Sequence, residues 1–385
     1  DDFESGSIAA AFGGVTTVFD FTVQGKDQTL KDSVETRLQK ARGKCHVDYG
    51  LHVNITDEPE IRLWELPELI DEGFTSFKVF STYREAGMMV TWEQFRQILS
   101  RVDERGGLLM LHAEDNDEIE ATTREFLSAN PAAPIFHALS RTPFAEASAV
   151  FHAAEIANQF DASLYIVHLS SYDGLEAGVE ARDLGINIYL ETCPQYLVLN
   201  EECYQRENGH YWITTPPLRT QDDCESLWDA LASGEIDVVG TDHCPFTIEQ
   251  KNSGEGFFNR TPNGLPGVET LFPLLYTYGV AEDRITLEQL VRVLAKNPAK
   301  IFGIYPRKGA IEIDSDADLV IWDPNQSYTI TADNMHGRAD WSPYEGMEIK
   351  GKLDRTILRG QVIVEGKKFL GEKVFGELLR ASRHK

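Results

Sequence analysis

Apolar residues along this chain occur in short runs that alternate with amphipathic segments. Seven runs are rich in β-branched and aromatic residues, and we predict a strand in each: Thr16–Phe21, Val47–Ile55, Ser76–Ser81, Leu108–Glu114, Leu164–Ser170, Asn187–Cys193 and Asp237–His243. The segments between them, such as TLKDSVETRLQKA and TWEQFRQILSRVDERG, have the spacing of helices with one apolar face. Near-continuous apolar strands that alternate with helices indicate a parallel sheet with helices on both faces.

This order of elements predicts an α/β fold of the TIM-barrel type, (β/α)8. A complete barrel has eight parallel strands, whereas the pattern supplies seven. From about Lys308 the chain changes to short, turn-rich apolar runs, which predict a small β-sandwich domain beside the barrel. We therefore predict barrel strands 2–8 within residues 1–307, the C-terminal part of the small β domain in 308–370, and a tail in 371–385.

Charge and cysteine content narrow the functional classes. The 385 residues include 36 Lys and Arg against 62 Asp and Glu, a net charge of −26. Such an acidic chain offers little to neutralise phosphates, so we expect no nucleic acid and no anionic membrane as partner. There is neither a run of about 18 apolar residues nor a signal-peptide pattern. Five cysteines without a C-x-x-C pair indicate a reducing compartment, so we expect a cytoplasmic protein.

Polar residues with metal-binding or catalytic chemistry lie within or close to the ends of the predicted strands. Lys78 interrupts the apolar run SFKVFS, although an ammonium group is almost never fully buried unless it is paired. His112, His168 and Asp242 follow later strands, and barrel enzymes place their active sites at the carboxyl ends of strands. Imidazole and carboxylate groups suit zinc and similar divalent ions. Their convergence predicts a metal centre.

Each of these residues also has an ordinary structural explanation. A histidine at a strand end is more often a hydrogen-bonded core residue than a ligand, Asp242 could cap a helix, and Lys78 could pair with a carboxylate. Because all four residues lie at successive strand ends, a single shared site explains them better than four separate structural roles. Of the remaining histidines, His243 is a candidate neighbour of the site, and His137 is expected to order a loop.

A set of longer motifs, in the same order along the chain, resembles the hydantoinase/dihydropyrimidinase branch of the cyclic amidohydrolases. The resemblance begins at the first residue and extends to about Lys368. The motifs are DDFESGSIAAAFGGVTTVFDF, SFKVFSTY, LHAED, LYIVHLSS, ETCPQYL, TTPPLR, GTDHCPF, PNGLPGVET, SDADLVIWDP and SPYEGMEIKG.

The resemblance implies a specific metal centre. In that family the strand lysine is carboxylated by CO2 and bridges two divalent metal ions, usually zinc, so Lys78 would be an anionic ligand. The same family pattern makes His112 and His168 ligands of one metal. It makes Asp242 a ligand of the other metal and the proton shuttle. Manganese and cobalt accept the same ligand types, so the metal stays open.

The resemblance also implies a substrate class and the residues that hold it. Tyr83 matches the tyrosine that hydrogen-bonds the developing oxyanion, while Thr215, in place of the usual serine, and Asn263 match residues that hold the amide edge of the ring. The implied reaction is hydrolysis of the cyclic amide of dihydropyrimidines or 5-substituted hydantoins to N-carbamoyl amino acids, by a hydroxide that two metal ions activate. The family is typically a homotetramer. The exact substrate and its stereochemistry stay open.

One departure from the family pattern is large. The family has a His-x-His pair on the first barrel strand, and this sequence contains none. Together with the count of seven strands, this predicts that the chain lacks the first barrel strand. Three alternatives remain: an allantoinase, a dihydroorotase, or an inactive dihydropyrimidinase-like scaffold protein. Tyr83 with TTPPLR and PNGLPG favours the hydantoinase branch, and the presence of all four candidate ligands argues against the scaffold.

Overall fold

The computed structural model describes residues 1–254, 256–371 and 375–384. One sheet contains seven parallel strands whose order follows the chain, with β1 and β7 at its edges. The strands are β1 Thr17–Phe21, β2 Asp48–Asn54, β3 Ser76–Phe80, β4 Leu108–His112, β5 Leu164–Ile166, β6 Ile188–Thr192 and β7 Val238–Val239. All seven predicted strands are present, and the predicted barrel-type α/β fold is confirmed.

Two of the predicted strands are much shorter than expected. The run from Leu164 to Ser170 stays in the sheet only to Ile166, and the run from Asp237 to His243 only to Val239. Both segments then carry a residue in the left-handed region, His168 with φ 41° and Asp242 with φ 44°. A positive φ is incompatible with an extended strand, so the chain leaves the sheet at these candidate site residues.

Helices connect successive strands. They are α1 Phe3–Phe12, α2 Leu30–Ala41, α3 Pro59–Arg62, α4 Leu66–Asp71, α5 Trp92–Asp103, α6 Asn116–Ala129, α7 Ile135–Leu139, α8 Pro143–Phe160, α9 Tyr172–Asp183, α10 Pro194–Val198, α11 Gln221–Ser233, α12 Ile248–Asn252, α13 Leu271–Leu275, α14 Leu287–Val291 and α15 Asn297–Ile301. Many begin at a hydroxyl cap: the side chains of Thr29, Thr91 and Thr220 each accept a backbone N–H of the first turn. Among the described residues, we find no helix with both the length and the apolar character that crossing a membrane requires.

The strands separate two hydrophobic cores because successive side chains point to opposite faces of a sheet. In β4, Leu109 and Leu111 belong to the large core between the strands and the surrounding helices. Leu108 and Met110 belong instead to a smaller core with Tyr165 and Phe302. This second core fills the interior enclosed by the curved sheet, so the barrel is packed below its strand ends.

A second, antiparallel sheet follows the barrel. Its strands are β8 Leu319–Thr329, β9 Glu348–Leu358, β10 Gln361–Glu365 and β11 Lys368–Phe369, in the order β11-β10-β9-β8. The small β domain was predicted to begin at about Lys308, but its first strand begins only at Leu319. The segment between them forms turns around an ion cluster. Thr356 Oγ1 donates a 2.7 Å hydrogen bond to the carbonyl of Ala11, which joins this sheet to α1.

The ion cluster lies where the amino end of β2 meets the second sheet. The carboxylate of Asp48 is fully buried, and Lys308 Nζ lies 2.6 Å from its Oδ2. Lys308 Nζ also contacts Asp318 at 2.7 Å and Asp316 at 3.0 Å. Arg359 forms a second ion pair with Asp48. Three elements distant in sequence are thereby tied together at one buried carboxylate.

The C-terminal segment 376–384 lies across the amino ends of the barrel strands. The N–H of Tyr49 donates to the carbonyl of Glu377, and the N–H of Leu379 donates back to the carbonyl of Tyr49. Further along, the backbone N–H groups of the segment donate to the carbonyls of Gly73, Gly303 and Gly106. These contacts bind the segment to several strands of its own barrel.

Candidate active site

Lys78 projects into the barrel because its neighbours project outward. Phe77 and Val79 belong to the outer core, so the alternation of β3 turns Lys78 toward the interior. Its side chain is buried, and Nζ lies 4.5 Å from the ring centroid of Phe80 and 5.1 Å from that of Phe21. These aromatic faces give an ammonium group only weak compensation for lost hydration.

The electrostatic surroundings of Lys78 favour its neutral amine. Burial lowers the pKa of Lys78 to about 8, although the charges of Asp242 and Glu191 oppose the shift. About a tenth of the Lys78 side chains are therefore unprotonated and nucleophilic at pH 7, far more than for an ordinary lysine. Such an amine can capture an electrophile that an ordinary surface lysine cannot.

His112 and His168 form a pair of imidazoles beside Lys78. Their ring centroids are 4.5 Å apart and their planes cross at 72°. Nε2 of His112 lies 2.6 Å from Glu114 Oε2, which leaves Nδ1 of His112 for another partner. Nδ1 of His168 is buried and has no hydrogen-bond partner among the described atoms. Burial lowers the pKa of both histidines, so both are neutral and carry a lone pair. The residues present therefore fit a divalent metal ion.

Asp242 lies three residues beyond β7 and faces the same region. The residue is exposed to solvent, and it lies close enough to the buried Lys78 for their charges to interact. Burial raises the pKa of Asp242, and the nearby charges of Lys78 and His243 oppose this shift. A carboxylate that is accessible to solvent and also has a raised pKa can exchange protons at the site.

The three residues predicted to bind substrate lie close to one another. Tyr83 has φ 68° and places its ring 5.4 Å from that of His112, measured between centroids. Burial raises the pKa of Tyr83, while the nearby charge of Arg141 and the neighbouring side chains of Thr215 and Asn263 oppose that shift. The structure thus brings Tyr83, Thr215 and Asn263 together next to the imidazole pair.

Comparison with known proteins identifies the family. Residues 1–363 match the model of the amidohydrolase family. The chain is 40% identical over 388 residues to a D-hydantoinase of Geobacillus stearothermophilus, covering all of this chain and 82% of the relative. It is also 40% identical to a D-phenylhydantoinase of Escherichia coli O1:K1 / APEC, covering 99% of this chain and 82% of the relative. This chain belongs to the amidohydrolase family.

Solved structures place this amidohydrolase in the hydantoinase/dihydropyrimidinase branch. Dihydropyrimidinase from Brevibacillus agri NCHU1002 superposes with a TM-score of 0.97 at 38% identity, covering all of this chain and 84% of that one. L-hydantoinase from Arthrobacter aurescens superposes with a TM-score of 0.92 at 30% identity, covering 98% and 83%. The similar structures thus include enzymes named for opposite stereochemistry.

Three charged residues of this amidohydrolase site did not emerge from the sequence. Glu114 and Arg141 form a buried ion pair of 2.6 Å behind His112. Glu191, on β6, accepts a 2.7 Å hydrogen bond from Tyr165 and lies close enough to Lys78 for their charges to interact. Burial raises the pKa of Glu191 to about 7. For Glu191 the sequence did contain a signal: this glutamate interrupts the apolar run NIYLETC, just as Lys78 interrupts SFKVFS.

His243, a candidate neighbour of the site, and His137, expected to order a loop, both have defined partners. Nε2 of His137 lies 2.8 Å from the carbonyl of Thr214, so His137 orders the loop that carries Thr215, as expected. Nδ1 of His243 accepts the backbone N–H groups of Gly267 and Val268. His243 therefore holds the chain next to Asp242.

A cluster of three carboxylates lies elsewhere on the surface. Oxygen atoms of Asp27, Asp57 and Glu58 lie within 4.8 Å of one another. Oδ2 of Asp57 already accepts the N–H of Asp27 at 2.7 Å, and the cluster is largely exposed. We assign it to loop structure.

Proposed function

We propose that this amidohydrolase opens the ring of hydantoins and dihydropyrimidines by hydrolysing the cyclic amide bond, which yields N-carbamoyl amino acids. The observation that carries the proposal is the gathering of Lys78, His112, His168 and Asp242 around one region at the strand ends. Relatives at about 40% identity over nearly the whole chain are named D-hydantoinase and D-phenylhydantoinase.

The proposed metal centre begins with Lys78. Its neutral amine adds to CO2 and loses one proton, which produces an anionic carbamate with two oxygen donors. The carbamate would hold two divalent metal ions, with His112 and His168 as ligands of one and Asp242 as a ligand of the other. Zinc is the proposed metal, and the ligand types also suit manganese and cobalt.

When bound, the metal ions lower the pKa of a water molecule and polarise the ring carbonyl. The other steps depend on residues of this chain. Tyr83 donates a hydrogen bond from its phenolic hydroxyl to the carbonyl oxygen, which becomes negative as the amide carbon turns tetrahedral. Thr215 and Asn263 hold the amide edge of the ring. Asp242 accepts the proton of the attacking water and delivers it to the departing ring nitrogen.

The competing functions predict different sites. A scaffold protein that has lost catalysis needs neither a lysine with a lowered pKa nor two neutral imidazoles side by side. An allantoinase or a dihydroorotase would share the metal centre, and the gathering of Tyr83, Thr215 and Asn263 favours the hydantoinase branch over both.

Two further properties belong to the proposal. We place the protein in the cytoplasm because all five cysteines, which lie in the described part of the chain, are unpaired. We propose a homotetramer, on the resemblance to the hydantoinase branch. Gel filtration with light scattering decides the second point.

The first test combines metal analysis with an activity assay. The purified protein is analysed for bound metal and then assayed with dihydrouracil, hydantoin and both enantiomers of a 5-phenyl-substituted hydantoin. We expect divalent metal held by Lys78, His112, His168 and Asp242, and ring opening that chelators abolish. Absence of turnover in protein reconstituted with zinc, manganese and cobalt would overturn the proposed activity.

A further inference from the structure

Lys251 is the second buried lysine of the barrel, and the catalytic scheme above does not use it. It lies on the short helix α12, and its side chain is 0% exposed. Burying an amine is costly unless its hydrogen bonds are satisfied. Its Nζ donates two hydrogen bonds, each of 2.7 Å, to the carbonyls of Ile213 and Pro262. Both acceptors are backbone atoms, so the amine holds the course of the chain.

Both carbonyls belong to the loops that carry the proposed substrate-binding residues. Ile213 lies two residues before Thr215, and Pro262 directly precedes Asn263. The carbonyl of Ile213 also accepts the N–H of Gly264 at 3.1 Å. The two loops are distant in sequence but are joined in two ways. The N–H of Gly264 donates to the carbonyl of Ile213, and Lys251 donates to one carbonyl in each loop.

The loop around Asn263 is tightly enclosed on its other side. Gly264 has φ 140°, and a Cβ atom there would lie 2.4 Å from the Cβ of Cys244. The N–H of Cys244 donates to the carbonyl of Leu265 at 2.9 Å. Because this loop is fixed to the segment after Asp242, the amine of Lys251 and the N–H of Gly264 together tie the Thr215 loop to it.

We propose that Lys251 is a positioning residue that sets the spacing between the Thr215 loop and the Asn263 loop, and thereby the grip on the amide edge of the substrate. The proposal rests on the proposed function for the identity of the substrate. Burial lowers the pKa of Lys251 to about 7, and a neutral amine still has the two N–H groups that the two carbonyls require.

The test compares Lys251→Met with a control on the same helix, Glu249→Gln, which changes an exposed side chain. Methionine keeps the apolar length and removes both hydrogen bonds. We expect KM for hydantoin to rise about 10- to 100-fold with a smaller change in kcat, because the loops hold ground state and transition state alike. Metal content stays at the wild-type value, and Glu249→Gln retains wild-type kinetics.

Hydrogen–deuterium exchange supplies a readout that needs no activity. In Lys251→Met, exchange should rise together in segments 213–218 and 260–265 and stay unchanged in β3 and β4. If that variant does not fold, Lys251→Gln, which keeps an N–H donor on a shorter side chain, replaces it. Exchange should rise in the same two segments, but by less. Unchanged KM and unchanged exchange in a folded variant would overturn the role of Lys251. A wild-type protein without ring hydrolysis would overturn the proposed function, while the exchange pattern would still decide whether Lys251 braces the two loops.

Discussion

Glu114 Oε2 lies 2.6 Å from Nε2 of His112, and both side chains are buried. Burial acts to raise the pKa of Glu114, but Arg141 and His112 outweigh it and hold the pKa at about 2. The carboxylate is therefore ionised, so Nε2 of His112 carries the hydrogen and Nδ1 presents its lone pair. A carboxylate behind a metal-binding histidine fixes the tautomer and the ring orientation.

The first prediction concerns this pair. Glu114→Gln keeps the size of the side chain but removes the charge that favours the Nε2–H tautomer and pairs with Arg141. We expect zinc affinity, measured by competition with a chelator, to fall about 10-fold, at the low end of the roughly 10- to 100-fold range for such partners. Glu125→Gln, which removes an exposed carboxylate of α6, should leave the affinity unchanged. Equal affinities in the two variants would rule out this role for Glu114.

The second prediction concerns proton transfer. Asp242→Asn retains an oxygen that can contact a metal but removes the proton acceptor. We expect kcat for dihydrouracil to fall by about 10²- to 10⁴-fold, the usual contribution of a positioned acid or base, with metal content partly retained. Steady-state kinetics normalised to bound metal measure this loss. Retained turnover would contradict the assignment of Asp242 as the proton shuttle.

The third prediction concerns the ion cluster around Lys308. Lys308→Met leaves the buried carboxylate of Asp48 and the partly buried carboxylate of Asp318 short of a cation. Removal of one partner of a buried ion pair costs roughly 3–5 kcal/mol, and we expect about 3 kcal/mol because Arg359 remains on Asp48. Urea denaturation measures the change in the free energy of unfolding. Lys367→Met, at an exposed position, should change it by less than about 0.5 kcal/mol.

The same cluster predicts a pH dependence. Burial opposes the charge of Lys308, but hydrogen bonds to Asp318 and Asp48 outweigh it and raise the pKa above 10.5, so its contribution is lost as pH rises past that value. Burial likewise opposes the charge of Asp316, but Lys308 outweighs it and lowers the pKa below 3.8, so that contribution is lost as pH falls. The stability difference between wild type and Lys308→Met should be largest between about pH 4 and pH 10. A difference that grows outside this window would contradict the assignment.

The fourth prediction concerns the C-terminal segment. Leu379 is 3% exposed, and its backbone pairs with Tyr49 of β2. Leu379→Ala should lower the free energy of unfolding by about 3 kcal/mol, within the roughly 2–5 kcal/mol range for truncation of a buried leucine. Thermal and urea denaturation measure it. The matched control is Leu370→Ala, since Leu370 is 45% exposed and should tolerate the change. Similar losses in both variants would show that segment 376–384 does not support the barrel.

Much of the barrel was predictable because its strands are buried on both faces. A strand between two apolar layers reads as a nearly continuous apolar run, and the strands β2 to β4 are buried at every position. Lys78 stood out against that background as a charge inside such a run. Glu191 interrupts the run of β6 in the same way, whereas Glu114 and Arg141 did not stand out, since charged residues are common near helix starts and strand ends. Their importance depends on which charges lie opposite, and those come from other elements.

The local pattern of this sequence determined which segments form the parallel strands, the interior position of Lys78 and the type of chemistry at the strand ends. Burial and alternation decide these features because they act over a few residues. Tertiary structure alone decided which loops meet. Tyr83 lies near Thr215 and Asn263, and Lys251 joins the loops of these two residues by bonding the carbonyls of Ile213 and Pro262. Such contacts depend on how the barrel curves and where each loop leaves it, and no short stretch of sequence encodes that geometry.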